Sequence, residues 1–216
     1  MALEQITKVA RRNDILVIFD EVQTGFYRTG KMFAFEHTGA VPDIVTMSKG
    51  IGGNGYPLSL ILYKKELDVW EPGTHIGTFR GNQIAMAAGL AALEFVEKYD
   101  VPSHVLDVGG EMKNKLEKIK ESSRYIGDVR ATGMIFGIEL VKDKNTKEPF
   151  PEATKALRKL CYENGLIVEV GGYYNNVIRF LPPLTITREI AENGLRIFEN
   201  ANKEMENLIT SSNTPR

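Results

Sequence analysis

The sequence predicts two kinds of architecture in one chain: an α/β unit with parallel strands over residues 1–108 and an α+β domain over 109–216. Three observations predict this. Residues 15–19, Ile-Leu-Val-Ile-Phe, are a continuous apolar run ending at Asp20, which is how a strand covered on both faces of a parallel sheet reads. Two further short apolar stretches, 43–47 and 58–63, precede a long Ala-rich segment with the length of a helix. Past Tyr125 the pattern changes, and residues 129–141 alternate in part between apolar and other side chains, as a half-buried strand does.

Each element has its own signal. Residues 2–13 carry Leu3, Ile6, Val9 and Ala10 at helical spacing, and Asn13-Asp14 interrupts them. Gly25, Gly30 and Gly39 punctuate a loop-rich stretch. Residues 72–81 form a loop, and Asn82 is suited to cap a helix reaching Lys98. A helix over 105–122 sets Leu106, Met112, Leu116 and Ile119 on one side, with Lys and Glu on the other. Residues 152–164 read as a helix stopped by Gly165. Short strands over 166–170 and 177–180 flank Gly171-Gly172, Thr187 caps a last helix to about Leu208, and the polar residues 210–216 read as a disordered tail.

Composition excludes some functions. The formal net charge of -1 argues against a nucleic-acid or anionic-membrane surface, since both need an excess of Lys and Arg. The single cysteine, Cys161, cannot form an intrachain disulfide and reads as a buried structural thiol. No apolar run near the start is long enough for a signal segment or a membrane span, so the expected compartment is the cytoplasm. His37, His75 and His104 are scattered and no metal is expected; His37 and His104 read as surface residues, and His75 as a loop residue that could line a pocket.

Asp20 closes a buried strand at its carboxyl end, where open α/β sheets hold ligands, although a helix cap or an ion pair would also suit an acid there. Lys49 follows the next strand, between Ser48 and Gly50 and ahead of Ile51-Gly-Gly-Asn-Gly55. A lone Lys is ordinarily a solvated surface residue, but these small neighbours leave room for a bulky group, and a desolvated Lys can form an imine. An acid and a lysine make sense together if the cofactor is pyridoxal 5'-phosphate (PLP). Its aldehyde needs a lysine, its pyridine nitrogen needs a carboxylate, and its phosphate needs donors near a helix start. Thr78, in Gly77-Thr-Phe-Arg-Gly81 ahead of Asn82, meets the last need. The Ile51–Gly55 stretch lacks the spacing of a dinucleotide loop.

Taken together, Phe19-Asp-Glu-Val-Gln-Thr-Gly-Phe26, Arg28-Thr-Gly-Lys31, Pro42-Asp-Ile-Val-Thr-Met-Ser-Lys-Gly50, Gly77–Asn82 and Ile178-Arg-Phe-Leu-Pro-Pro-Leu184 resemble the class III aminotransferases of the fold-type I PLP superfamily. The resemblance implies a fold: the second half of the large PLP domain, with a mostly parallel sheet flanked by helices, plus a small α+β carboxy-terminal domain. It also implies roles. Asp20 pairs with the pyridinium nitrogen, Val22 packs on the ring and Gln23 bonds its phenolic oxygen. Lys49 holds the aldehyde and then shuttles the proton. Thr78 binds the phosphate of a neighbouring subunit's cofactor in a homodimer, and Arg179 grips the carboxylate of glutamate or 2-oxoglutarate, a task its planar fork suits.

Within the family, Leu67–Asn82 is most similar to the branch that moves the terminal amine of L-2,4-diaminobutyrate to 2-oxoglutarate. Ornithine, acetylornithine and 4-aminobutyrate transaminases share the general motifs. A PLP aminomutase or racemase on the same scaffold and a non-catalytic relic domain are the other readings. Family members are about twice this length, so the chain reads as a carboxy-terminal fragment. The half that supplies a phosphate loop, a ring-stacking aromatic and an acidic gating residue is missing, and the fragment is expected to be inactive alone.

Overall fold

In the computed structural model, which describes residues 2–53 and 55–212, the first helix forms where its apolar spacing puts it: α1, Ala2–Arg12. Only Thr7 and Ala10 are buried there, and Leu3, Ile6 and Val9 face outward. The chain divides into two compact units, Met1–Ser103 and His104–Arg216.

The first unit holds a three-stranded sheet in the order β1-β2-β3: β1, Ile18–Asp20; β2, Ile44–Met47; β3, Leu60–Tyr63. β1 and β2 run parallel, with Ile18 opposite Ile44 and Asp20 opposite Thr46. Two expectations are corrected. The strand starts at Ile18, not Ile15, because the ladder exists only where β2 supplies a partner. Nor is the run covered on both faces: Ile15, Leu16 and Ile18 are all exposed. β3 also departs from the parallel pattern, running antiparallel to β2 with Met47 opposite Leu60.

One buried acid fastens this sheet. Asp43 accepts the Val17 N–H through Oδ2 at 2.8 Å and pairs through Oδ1 with Lys64 Nζ at 2.6 Å. α2 follows at Gln83–Lys98, and Asn82 caps it by accepting the Ala85 N–H at 3.1 Å.

α3, Val101–Ser122, begins four residues before the expected start; Pro102 falls in its first turn, where no donor is needed. Its apolar stripe is Val105, Val108, Met112, Leu116 and Ile119, whereas Leu106 faces solvent. In the second unit a four-stranded antiparallel sheet has the order β4-β5-β7-β6. Its strands are β4, Ile126–Thr132; β5, Ile135–Leu140; β6, Glu169–Gly171; and β7, Val177–Phe180.

The segment 129–141, read as one strand, is thus part of a hairpin. Thr132 pairs with Ile135 across Gly133-Met134. Gly133, at φ 55°, supplies the left-handed residue that a two-residue turn requires. Phe136, Ile138 and Leu140 alternate inward and pack with helix α4, Pro151–Glu163.

α4 ends as Gly165 foretells. The Leu166 N–H returns to the Cys161 carbonyl at 2.8 Å and the Gly165 N–H to that of Tyr162 at 3.0 Å, with Gly165 at φ 86°. Cys161 is fully buried, and burial pushes its thiol up to about 12. Helix α5, Arg188–Ser212, packs on α4, and Thr187 accepts the Ile190 N–H at its start. The expected tail is corrected: residues 210–212 continue α5, and 213–216 lie outside the described residues.

Candidate active site

The parallel pairing of β1 and β2 sets Asp20 and Thr46 side by side at the carboxyl ends of their strands, the position where open α/β sheets carry ligands. Asp20 Oδ1 accepts the Val22 N–H at 2.9 Å and the Thr46 hydroxyl at 3.2 Å. Among the described residues its second oxygen has no hydrogen-bond partner, and the side chain is exposed.

Lys49 lies three residues beyond Thr46 and opens a 3-10 turn, Lys49–Gly52. Its backbone is left-handed at φ 52°, a conformation that costs a non-glycine residue on the order of 1 kcal/mol and persists only where its surroundings hold it. Two close approaches hold it here. A Cβ on Gly50 would come within 3.1 Å of the Phe26 ring, so that ring lies flush under the turn. A Cβ on Gly89 of α2 would come within 2.8 Å of the Ile51 carbonyl, so α2 abuts the turn from another side. Asn54, in the glycine-rich stretch that follows, lies outside the described residues. The lysine side chain is exposed rather than desolvated, and makes no hydrogen bond or ion pair among the described residues.

Phe26 lies in a loop that Glu21 ties down. That carboxylate is buried, accepts the Phe35 N–H at 3.0 Å and the Thr24 hydroxyl, and so ties the 21–35 loop to the end of β1. Phe35 in turn rests against Phe19, ring centroids 5.9 Å apart. Sequence reading passed over Thr46, Glu21 and Phe26. The signal for Thr46 was present: it is the one polar side chain in Ile44-Val-Thr-Met47.

Between these elements runs a groove of about 1390 Å³, lined among others by Val22, Thr46, Ser48, Trp70, His75 and Thr78. Val22 and Gln23 are half-buried and Thr78 is exposed. Thr78 stands four residues before the Asn82 cap, at the approach to the α2 N-terminus, whose amides favour anions. The His75 ring stacks on Trp70 with centroids 5.4 Å apart.

This donor set fits PLP: a carboxylate with an open oxygen for a ring N–H, an unpaired lysine amine for an aldehyde, and a hydroxyl near a helix start for a phosphate. All five of Asp20, Val22, Gln23, Lys49 and Thr78 belong to the first unit; Val22 and Thr78 line the groove, and Asp20, Gln23 and Lys49 are not among its lining residues. Arg179 belongs to the second unit. There it lines a pocket of about 330 Å³ with Arg130, Thr132 and Gly172, and its guanidinium lies 3.6 Å from Glu169, its cross-strand partner.

Comparison with known proteins shows the family. The family model for class-III aminotransferases matches residues 2–201. A diaminobutyrate–2-oxoglutarate aminotransferase of Haemophilus influenzae is 38% identical over 205 residues, covering 92% of this chain and 45% of that protein. A leucine/methionine racemase of Thermococcus litoralis is 39% identical over 204 residues, covering 94% of this chain and 45% of that protein. The crystal structure of a Bacillus anthracis aminotransferase superposes with a TM-score of 0.87 at 34% identity, covering 92% of this chain and 47% of that one. The chain therefore spans about half the length of the relatives it matches.

Proposed function

The chain belongs to the class III aminotransferases, whose cofactor is PLP, and on that premise we propose that it forms the lysine-bearing part of an enzyme that transfers a terminal amino group to 2-oxoglutarate. The best-supported donor is L-2,4-diaminobutyrate, giving aspartate semialdehyde and glutamate, because several relatives 36–40% identical carry that name. The observation that carries the reading is the pairing of Asp20 with Thr46 at the strand ends, with Lys49 three residues further on.

When bound, PLP supplies an aldehyde that takes up the amino group and a ring that accepts electrons. The chain's own residues do the rest. Asp20 directs its open carboxylate oxygen at the ring nitrogen and keeps the proton there. Val22 covers the ring face, and Gln23 donates to the phenolic oxygen. Lys49 would hold the cofactor through Nζ and, once released, its amine would take the proton from the substrate carbon that bears the amino group and deliver it to the carbon of the former aldehyde. Thr78 donates to a phosphate, that of a neighbouring subunit's cofactor in a homodimer. Arg179 grips the second carboxylate of the dicarboxylic substrate, displacing Glu169. Among the described residues no helix is long and apolar enough to cross a membrane, and the proposed compartment is the cytoplasm.

The experiment is direct. The chain is mixed with PLP, reduced with borohydride and digested, and the phosphopyridoxyl group is located by mass spectrometry. Label on Lys49, absent from Lys49→Ala, supports the reading; label spread over surface lysines at equal yield removes it.

A racemase is the second reading, favoured by the similarity to the Thermococcus litoralis protein. It would keep Asp20 and Lys49 but consume no keto acid. With the chain in its full-length context, glutamate formed from added 2-oxoglutarate supports the transaminase; loss of optical activity without a keto acid supports the racemase.

A further inference from the structure

We infer that Thr46 is a positioning residue that aims the Asp20 carboxylate, an inference that rests on the cofactor reading above. Asp20 is exposed, and its terminal torsion is soft, so one hydrogen bond leaves the carboxylate free to swing. The Val22 N–H at 2.9 Å fixes one point on Oδ1 but not the plane of the group. The Thr46 hydroxyl, 3.2 Å from the same oxygen, approaches from the neighbouring strand and supplies a second point. Its own direction is set twice: by the β1–β2 register that puts Thr46 opposite Asp20, and by the stiffness of a β-branched side chain at χ1. With Oδ1 held from two sides, the other oxygen keeps one heading. Thr46 itself lines the groove. Isoleucine or valine would suit a strand at least as well; the hydroxyl contributes the aim of Asp20.

The test uses the full chain with Thr46→Val, which keeps the shape and removes the donor, and Thr46→Ser, which keeps the donor. Two quantities are read: the dissociation constant for PLP, by equilibrium dialysis, and hydrogen exchange of the Val22 amide, by NMR without cofactor. Thr46→Val is expected to weaken PLP binding and speed Val22 exchange, each roughly three- to tenfold, the scale of one hydrogen bond. Thr46→Ser should restore both, and exchange in β3 should stay unchanged in either variant. Wild-type PLP affinity or wild-type Val22 protection in Thr46→Val overturns the inference. A Lys49→Ala chain that binds PLP as tightly as wild type removes the cofactor reading instead, and Val22 exchange then decides by itself whether Thr46 holds Asp20.

Discussion

In the first unit Ile15, Leu16 and Ile18 are each more than half exposed, while in the second Phe136, Ile138 and Ile178 are shielded to 1% or less. Both sets lead into or lie on strands of a small sheet. The difference is what covers the sheet. In the second unit four strands carry helices α4 and α5, and the largest fully buried side chains, from Val105 to Met205, all belong to it. In the first unit β1 is an edge strand with Ile18 outward, and the apolar stripe Leu3-Ile6-Val9 of α1 is uncovered. Apolar burial is the main stabilising term in folding. The second unit therefore buries the larger apolar core, and the unit that holds the proposed chemistry is the less covered of the two.

The largest effect this comparison predicts is in local opening. Amides of β5 and β7 should exchange slower than those of β1 and β2 by a factor on the order of 10²–10³, since protection follows the free energy of local opening. Cys161 gives a second measure: fully buried, with its thiol pushed up to about 12, it should resist alkylation until the second unit opens. Equal protection in the two sheets would erase the distinction.

A smaller effect comes from paired substitutions. Ile138→Ala empties a fully buried site on β5 and should cost about 2–5 kcal/mol in chemical denaturation. Ile18→Thr, at a position 58% exposed, should stay within about 0.5 kcal/mol and reduce concentration-dependent association. A loss at Ile18 as large as at Ile138 would mean that β1 is covered in solution.

How much of this was legible depended on whether the signal was local. Asn82 and Gly165 announced helix ends because a cap is satisfied within a few residues of itself, and both positions cap as read. The 126–140 hairpin was missed because Met134 in its turn is apolar and fully buried, so the alternation ran through the turn without a break. The exposure of Ile15 and Leu16 was not legible either. An apolar run states that a segment can be buried, and only the neighbouring strands decide whether it is. At the site, Asp20 and Lys49 stood out because each ends a strand pattern. Thr46, Phe26 and Glu21 act across chain separations of 14 to 26 residues, as Glu21 on Phe35, Phe26 beneath Gly50 and Thr46 beside Asp20 illustrate, and single-strand patterns carry no record of such pairs.

A loss smaller than that at Ile138 is predicted at Asp43, the fastener of the less covered unit. Lys64 beside it, and then the Val17 N–H, hold its carboxyl below the usual carboxylate range, while burial opposes them. A folded-state value below the unfolded one means that the folded form binds its proton less readily. The stabilisation is therefore complete above the ordinary carboxylate pKa, about 4, and is lost as pH falls through the depressed folded value. Lys64 is 39% exposed, so solvent weakens the pair, and Asp43→Asn should cost about 1–2 kcal/mol at neutral pH. Below pH of about 4 the difference between wild type and Asp43→Asn should shrink, and it should do so in β1–β3 amide exchange without a matching change in β4–β7. In the second unit the comparable acid, Glu199, is held below its usual range by Lys115 and Lys203 on exposed helix faces. Its replacement by Gln should cost less than about 1 kcal/mol. If Glu199→Gln proved the more damaging of the two, the first unit would not depend on Asp43, and the contrast between the two units would have to rest on apolar cover alone.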